Sequence, residues 1–407
     1  MLTLGIGTSV AQIFPLLFYP VLSRMFTPAD FGLLATVMSV TAVVSVLATL
    51  RYENAILIAK NKIDAANVVV LTISLAMVIS ILAYFILFLF GNHLNILFQE
   101  PQLSKWLWIV PISSVSIVIF NTYNEWCVRN KYFTYLSYNK ISNSSGIVLS
   151  KLFFGFYTIV GKGLLVGDIL GRVFSAITCI YRALKKDKET LCKISWQKMK
   201  KMSTEFKDCP KFLLPAGLLD VLVMNMAVFM FSSFFTSSEV GYYSMAMAIL
   251  SLPASVVAVA VKDVFRQRAN EDYVNTGSCR PILKKTILYM GLGIIPVCLL
   301  LFFIFPSLFD FILGESWRMT GVYASILLPW VATDFVYSSI SGVFIIANKM
   351  AMSLWLFILS FFASLIPLSI GCFYYHNIII SLSLMVIFRI FLNIYRTSLA
   401  YKYSQIK

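Results

Sequence analysis

Charged side chains recur inside, or at the edges of, long apolar stretches of this sequence. A charge at the centre of a membrane helix costs about 2.5–3.5 kcal/mol on insertion scales, so the charges that persist usually face a bundle interior or a water-filled cavity. In such places arginine and lysine suit phosphate oxygens by charge, and arginine adds a bidentate fork. The charged residues in question are Arg24, Arg51, Glu53, Glu125, Lys151, Asp168, Arg172, Asp220, Asp334 and Arg389.

Four cations of this set are candidates for binding an anionic group. Arg51 is also explained as an ordinary flanking residue that pairs with Glu53. Arg24 is also explained as a side chain that snorkels to the membrane surface or caps its helix. Arg172 lies four residues after Asp168, a spacing at which the two side chains can neutralise each other on a helix. The four candidates are Arg24, Arg51, Lys151 and Arg172.

The acids of the set have two explanations. Asp220 and Asp334 have no cation within one helical turn, so each is a candidate for binding a coupling ion, H⁺ or Na⁺. The alternative is an ion pair with an arginine of another span, for which Arg172 and Arg389 are available. Arg389 itself is assigned to contact between helix bundles or to lipid anchoring. The acids considered for ion coupling or pairing are Asp220, Asp334, Glu53 and Asp168.

The sequence contains no set of residues typical of an enzyme. His93 and His376 are isolated, and no combination of acid, histidine and nucleophile is visible. There is no glycine-rich phosphate loop of the ATPase type. The seven cysteines form no CxxC pair and are assigned to packing. We therefore predict a protein that is not an enzyme and that carries neither a metal nor an organic cofactor.

Membrane helices are the elements that must position these charges. Of the 407 residues, 59% are hydrophobic and 13% charged, whereas about a quarter of the residues of a soluble domain are charged. The net charge of +15 does not indicate nucleic-acid binding, because the basic residues lie between apolar runs instead of on one soluble face. A helical span needs about 20 mostly apolar residues. The twelve predicted spans are 2–23, 32–51, 65–90, 106–126, 139–160, 163–182, 212–235, 240–261, 286–309, 321–346, 351–372 and 378–400.

Lysine and arginine are distributed unevenly between the predicted loops. Most of the 33 lie in the even-numbered breaks and the C-terminal tail, which predicts a multi-pass protein with both termini in the cytoplasm. The longest break, residues 183–211, is rich in lysine, and its apolar residues recur at helical spacing. This pattern predicts an amphipathic helix on the anionic inner leaflet, with a solvated basic linker as the alternative. The apolar residues are Leu191, Ile194, Trp196, Met199 and Met202.

The chain also matches itself at an offset of 209 residues. Residues 23–32 align with 232–241, with Ser, Phe, Thr and Gly at matching positions and Asp30 opposite Glu239. Each segment closes the first span of a six-span half, which predicts two lobes in a parallel repeat. The Thr-Pro-Ala-Asp motif at 27–30 predicts a capped helix start. The predicted domains are an N-terminal six-helix lobe (1–182), a basic cytoplasmic amphipathic linker (183–211) and a C-terminal six-helix lobe (212–407).

Two segments near the start of the chain carry a family resemblance. Residues 20–32, followed by 50–56, resemble the polysaccharide-transporter family of lipid-linked oligosaccharide flippases, the O-antigen translocase type within the MATE-like flippase superfamily. Segments 126–133, 163–171 and 240–253 are similar to later parts of that family, and together the pieces cover most of residues 5–270. The charged pair in the predicted sixth span departs from the uncharged polar residues expected there, which would fit a particular sugar.

This resemblance implies an all-α membrane fold with twelve helices in two lobes around a central cavity that works by alternating access. It implies transport of a short glycan on undecaprenyl pyrophosphate from the cytoplasmic to the periplasmic leaflet of the bacterial inner membrane. A polysaccharide polymerase and a chain-length regulator of O-antigen or lipopolysaccharide synthesis are the implied partners besides membrane lipids. The cavity cations would then compensate the pyrophosphate.

Two alternatives stay open. A MATE-like antiporter of cations or drugs is the first, and for it an acidic cavity is expected. A polytopic glycan-assembly enzyme is the second, and product formation from a labelled sugar donor would support it. Tyrosines and tryptophans near the span ends are assigned to the interface belts, and some to stacking on sugar rings. The aromatic residues concerned are Trp106, Trp108, Trp126, Tyr132 and Tyr135.

Overall fold

Twelve long helices make up most of the described part of the chain. The computed structural model describes residues 2–101, 103–157, 163–191, 193–347 and 349–405. Within them there is no β-strand, only an isolated bridge between Ser278 and Gln405. The long helices are α1 Leu2–Met25, α2 Pro28–Thr49, α3 Lys62–Leu97, α4 Ile109–Arg129, α5 Phe133–Phe156, α6 Gly163–Lys186, α7 Leu214–Phe234, α8 Ser237–Thr276, α9 Arg280–Leu313, α10 Arg318–Ile340, α11 Met350–Ser369 and α12 Ile378–Tyr403.

Shorter helical segments lie between them. One-turn helices and 3-10 turns follow α2, precede α4 and α10, and separate α10 from α11. A one-turn helix and a helix of 10 residues lie between α6 and α7. Turns of π-helix open α7 and close α11. These segments are Tyr52–Asn54, Ala55–Ile58, Leu103–Trp106, Lys188–Leu191, Trp196–Glu205, Cys209–Leu213, Glu315–Trp317, Val343–Ile346 and Ile370–Tyr375.

The twelve helices confirm the predicted all-helical, twelve-span architecture. Eight helices of the described residues are long and apolar enough to cross a membrane by length and composition alone. Several helices run beyond the predicted spans, most of all α8, which ends at Thr276 instead of 261. Phe265 and Ala269 of the extension are buried in a core cluster of the second unit, so packing stabilises the helix after its apolar part has ended.

The predicted helix start at Thr27 is confirmed in detail. Thr27 accepts a hydrogen bond from the backbone N–H of Asp30, and the Asp30 carboxylate accepts one from the backbone N–H of Thr27 at 2.9 Å. Pro28 occupies the first helical position, where its missing N–H has no intrahelical partner to lose. The corresponding helix of the second half, α8, begins at Ser237, offset by the same 209 residues.

The described chain divides into two compact units. The first unit comprises Met1–Asn225 with Thr236–Ser238, and the second comprises Met226–Phe235 with Glu239–Lys407. The basic segment 183–211 belongs to the first unit in this division. The lobe boundaries placed on either side of that segment stay a prediction.

A buried carboxylate fastens the start of the 183–211 segment to the first unit. Asp187 is 3% exposed. Its carboxylate pairs with Lys62 Nζ at 2.7 Å and accepts hydrogen bonds from Trp126 Nε1 at 2.9 Å and Tyr132 Oη at 3.4 Å. Trp126 was predicted to lie in an interface belt, and that prediction is wrong: its ring is buried, because its indole N–H is the donor that a buried carboxylate requires.

The helix Trp196–Glu205 of the same segment packs on protein with one face. Met199 and Met202, which were expected to rest on lipid, are buried in the core of the first unit, whereas Trp196 is 74% exposed. The Tyr52 hydroxyl donates a hydrogen bond to the Ser203 carbonyl at 3.0 Å. Burial, and secondarily the nearby Cys209 thiol, raises the pKa of Tyr52, so this donor keeps its proton at neutral pH.

Glycines allow α5 and α6 to approach backbone to backbone. A Cβ at Gly167 would lie 2.6 Å from Lys151 Cα, and a Cβ at Gly171 would lie 2.3 Å from Ile147 Cα. The two glycines are one helical turn apart, so both lie on the face of α6 that meets α5. This close approach brings the Lys151 side chain of α5 within reach of α6.

We expect Gly171→Ala to destabilise the protein, because its methyl group meets backbone that cannot move aside. Overpacking of this kind costs about 1–3 kcal/mol, which outweighs the higher helix propensity of alanine. Thermal unfolding of purified protein in detergent measures the effect. Gly291→Ala in α9 is the matched control, since nothing lies within 4 Å of a Cβ there. Equal melting temperatures for the two variants would contradict the packing described.

Candidate functional site

Three of the predicted charges form one cluster between α5 and α6. Asp168 is 2% exposed and lies between two cations. Lys151 Nζ is 2.7 Å from one carboxylate oxygen and Arg172 Nε is 2.5 Å from the other. The i, i+4 pairing expected for Arg172 and Asp168 is therefore present, and Lys151 adds a second cation from the neighbouring helix. Two cations around one carboxylate leave one positive charge on the cluster.

Arg51 lies at the end of α2 and reaches the start of α7. Its backbone is left-handed, with φ 61°, and its guanidinium lies 3.4 Å from Glu53 Oε1. A Cβ at position 217 would lie 2.2 Å from Arg51 Nε, so only a glycine admits the guanidinium there. The expected pair with Glu53 is present, and the contact with Gly217 was not foreseen. Glu53 Oε2 is buried and has no hydrogen-bond partner in the described part of the chain.

Arg24 and Asp220 are predicted site residues without an ionic partner in the part of the chain that is described. Arg24 lies in the last turn of α1 and is exposed. Asp220 lies in α7 and is half-buried. Neither forms an ion pair with another described residue. Both charges are therefore available to a ligand.

A second polar cluster lies in the second unit, where α10 and α12 run side by side. We call it the α10–α12 ladder, because three side-chain contacts, its rungs, each join a residue of α10 to a residue of α12. The spacing between successive rungs is four and then three residues on both helices. Arg389 lies 5.3 Å from the ring centroid of Trp330. Asn393 Nδ2 donates to Asp334 Oδ1 at 3.4 Å. The third rung joins Arg396 to the Tyr337 ring, at 4.9 Å from its centroid.

The arginines of the ladder are buried in protein. Arg389 is 8% exposed and Arg396 7%. Arg389 therefore does not extend to the lipid surface, and its predicted role as a lipid anchor is wrong. Arg396 was missed by sequence analysis, although its spacing of seven residues from Arg389 within an apolar span was a signal. Its guanidinium donates to Asn393 Oδ1 at 3.3 Å, to the Leu356 carbonyl at 3.0 Å and to Ser360 Oγ.

Asp334 belongs to this ladder instead of standing alone. Arg389 and Arg396 both lie within electrostatic range of its carboxylate, and Asn393 donates to it. The predicted alternative of pairing with Arg389 is thus met in part, through the electrostatic field of the arginine and not through a direct ion pair. A cavity of about 300 Å³ between α9, α10 and α12 is lined by Thr333 and Asn393, so it reaches the middle rung.

Solved structures with a similar fold cover nearly the whole chain. The lipid II flippase MurJ in an inward closed conformation matches with a TM-score of 0.76 and 16% identity, over 97% of this chain and 87% of that one. The Vibrio cholerae MATE transporter VcmN matches with a TM-score of 0.63 and 13% identity, over 98% and 94%. A MOP superfamily transporter from Pyrococcus furiosus matches with a TM-score of 0.59 and 15% identity, over 98% and 94%. At these identities the likeness concerns the fold alone.

Sequence comparison identifies the family. No curated protein sequence matches this chain. Residues 21–321, from α1 into α10, match the family described as polysaccharide biosynthesis protein. This region holds the cluster between α5 and α6 together with Arg24, Arg51 and Asp220. The chain therefore belongs to the polysaccharide biosynthesis protein family and is a multi-pass membrane protein with the helical fold that MurJ and MATE transporters share.

Proposed function

We propose that this protein is a flippase for a lipid-linked oligosaccharide. It moves a short glycan on an undecaprenyl pyrophosphate carrier from the cytoplasmic to the periplasmic leaflet by alternating access. The observation that carries the proposal is the excess of positive charge in and beside the spans of the first unit. Arg24 is exposed and has no ionic partner among the described residues, and the cluster around Asp168 keeps one positive charge.

The physical need for these cations follows from the substrate. A diphosphate that leaves water loses its hydration, and a charged group in a low-dielectric medium is stabilised only by a partner of opposite charge. The lipid tail can stay in the bilayer while the headgroup passes along cationic side chains. Arginine suits this task, because its fork binds two phosphate oxygens at once. The membership in a polysaccharide biosynthesis family agrees with a glycan as the cargo.

The charge pattern does not favour the alternative of a cation or drug antiporter. Such a carrier needs a carboxylate that is free to bind a cation. Asp168 is held between Lys151 and Arg172, and Asp334 lies in a cluster that holds two arginines. Both acids are therefore engaged by the protein itself. Asp220, an acid without an ion pair among the described residues, is assigned to the coupling ion and not to the cargo. A polytopic glycan-assembly enzyme is not favoured by any observed geometry.

The finer parts of the proposal follow from the sequence. The distribution of lysine and arginine supports a location in the bacterial inner membrane with both termini in the cytoplasm. The cargo is an O-antigen-like repeat unit of lipopolysaccharide synthesis, and a polysaccharide polymerase and a chain-length regulator are the expected partners. The transporter is proposed not to be an enzyme and to need no cofactor beyond a coupling ion.

We expect Arg24→Ala and Arg172→Ala to abolish delivery of glycan to the cell surface while the protein still inserts at normal levels. Arg24 has no partner whose pairing would be lost, and Arg172→Ala leaves Asp168 paired with Lys151. Surface glycan, measured by gel and antibody, and membrane protein level, measured by immunoblot, report the two effects. Accumulation of lipid-linked glycan in the inner leaflet is expected at the same time.

Arg318→Ala is the matched control for this experiment. Arg318 is also an exposed arginine at a helix end, but it belongs to the second unit, at the start of α10. This variant should keep surface glycan at the wild-type level. Wild-type glycan output from both Arg24→Ala and Arg172→Ala would refute the role of cations in the first unit.

Ion coupling is assigned to Asp220, because it is a half-buried acid of a span without an ionic partner in the described part of the chain. We expect Asp220→Asn to remove the dependence of transport on an imposed H⁺ or Na⁺ gradient, since an amide cannot ionise. Transport into proteoliposomes, with each gradient imposed in turn, measures this effect. Binding of a lipid diphosphate should persist in the variant. Unchanged stimulation by both gradients would eliminate Asp220 as the coupling residue.

A further inference from the structure

Arg389 of the α10–α12 ladder is a buried cation without an ionic partner in the described chain. It is 8% exposed and stacks on the Trp330 ring. It forms no ion pair with a described carboxylate, and its Nε is buried without a hydrogen-bond partner. Arg396 is buried equally deeply but donates to Asn393, the Leu356 carbonyl and Ser360. The two arginines therefore differ in that only Arg396 is held by acceptors.

The ladder as a whole carries more positive than negative charge. Two arginines face a single carboxylate, that of Asp334, which accepts a hydrogen bond from Asn393 within the described part of the chain. The buried atoms left without partners in this region are all donors: Trp330 Nε1, Arg389 Nε and Arg396 Nε. A water molecule could accept a hydrogen bond there, but it would bring no charge. An anion supplies both the acceptor atoms and the charge that the ladder lacks.

The geometry suits a phosphate group among anions. The guanidinium fork of Arg389 offers parallel donors to two oxygens, and the indole N–H of Trp330 adds a donor from the ring on which the fork lies. Phosphate esters are also the anions that membrane lipids carry into a membrane protein. A cavity of about 300 Å³ that is lined by Thr333 and Asn393 lies beside the middle rung, one helical turn away from Trp330 and Arg389, which do not line it.

We propose that Arg389, with Trp330 as its platform and second donor, forms a phosphate-binding site in the second unit. The ligand class is a phosphate or diphosphate ester of a lipid, and its assignment to the transported diphosphate rests on the proposed function. Asp334 and Asn393 position the neighbouring Arg396 and do not bind the ligand. The candidate cations of the first unit lie on other helices than Arg389 and Trp330.

Binding of inorganic pyrophosphate to purified full-length protein in detergent tests this site. We expect Arg389→Gln to weaken the affinity about tenfold or more, as the loss of a charge-assisted hydrogen bond requires. Trp330→Phe keeps the aromatic platform but removes the N–H, so a smaller loss of a few-fold is expected. Arg389→Lys keeps the charge without the fork and should lie between wild type and Arg389→Gln. Each variant is also made on an Arg24→Ala, Arg172→Ala background, so that the first-unit cations do not mask the effect.

The melting temperature without ligand distinguishes binding from a structural role. Removal of an unpaired buried charge should leave the unliganded protein at least as stable as wild type, whereas loss of a structural arginine would lower its melting temperature. Stabilisation by pyrophosphate should be present in wild type and in the exposed control Arg318→Gln, and reduced in Arg389→Gln. Wild-type affinity in Arg389→Gln, or a melting temperature of the unliganded variant below that of wild type, would overturn the proposal.

Two lipid probes identify the source of the phosphate. Farnesyl diphosphate and phosphatidylglycerol are compared in nanodiscs of neutral lipid, in wild type and in Arg389→Gln. An Arg389-dependent preference for farnesyl diphosphate supports a site on the transport path, and a preference for phosphatidylglycerol supports a site for a lipid headgroup. Arg389-independent binding of both would overturn the proposal. If Arg389-dependent binding is found but wild type moves no lipid-linked glycan in proteoliposomes, the proposed function fails while the site stands.

Discussion

The cost of placing an ion in an apolar medium governs where the charges of this protein lie. Asp168 shows the constraint most clearly, because it is almost completely buried and is held by a cation from each of two helices. The ion pair between Lys151 and Asp168 joins α5 to α6, which approach each other closely at Gly167 and Gly171. A requirement of electrostatics is thus met by the choice of small residues within one helical turn of the charge.

The same constraint acts at the end of the spans. Asp187 follows α6 directly, and it is buried as deeply as Asp168. Lys62, Trp126 and Tyr132 surround it, so the segment after α6 is fixed to α3 and to α4 with the turn that follows it. Met199 and Met202 then bury the helix Trp196–Glu205 against the same unit. Because the charge and the methionines face protein, the lysines of this segment are left on its outer side.

The sequence predicted the number of spans, the capped start of α2 and the charged residues within or beside the spans, since each depends on composition or on local spacing. It also predicted the pairs of Arg51 with Glu53 and of Arg172 with Asp168, which are close in sequence. It did not predict that Lys151 joins Asp168 or that Arg51 lies on Gly217, because these contacts depend on which face of each helix meets its neighbour. The sequence of a membrane span does not show which face of the helix meets its neighbour, since lipid-facing and buried positions are both apolar.

Fold similarity by itself does not distinguish transport of an anionic lipid from transport of a cation, because both a lipid II flippase and a MATE transporter share the fold of this chain. The distinction must come from the charges and from what compensates them. In the first unit, Asp168 is outnumbered by the cations that bind it. In the second unit, Asp334 is outnumbered by Arg389 and Arg396, and the unpaired buried atoms of that ladder are donors. Both clusters therefore hold more cations than carboxylates, and an excess of that sign is stabilised by an anion and opposed by a further cation.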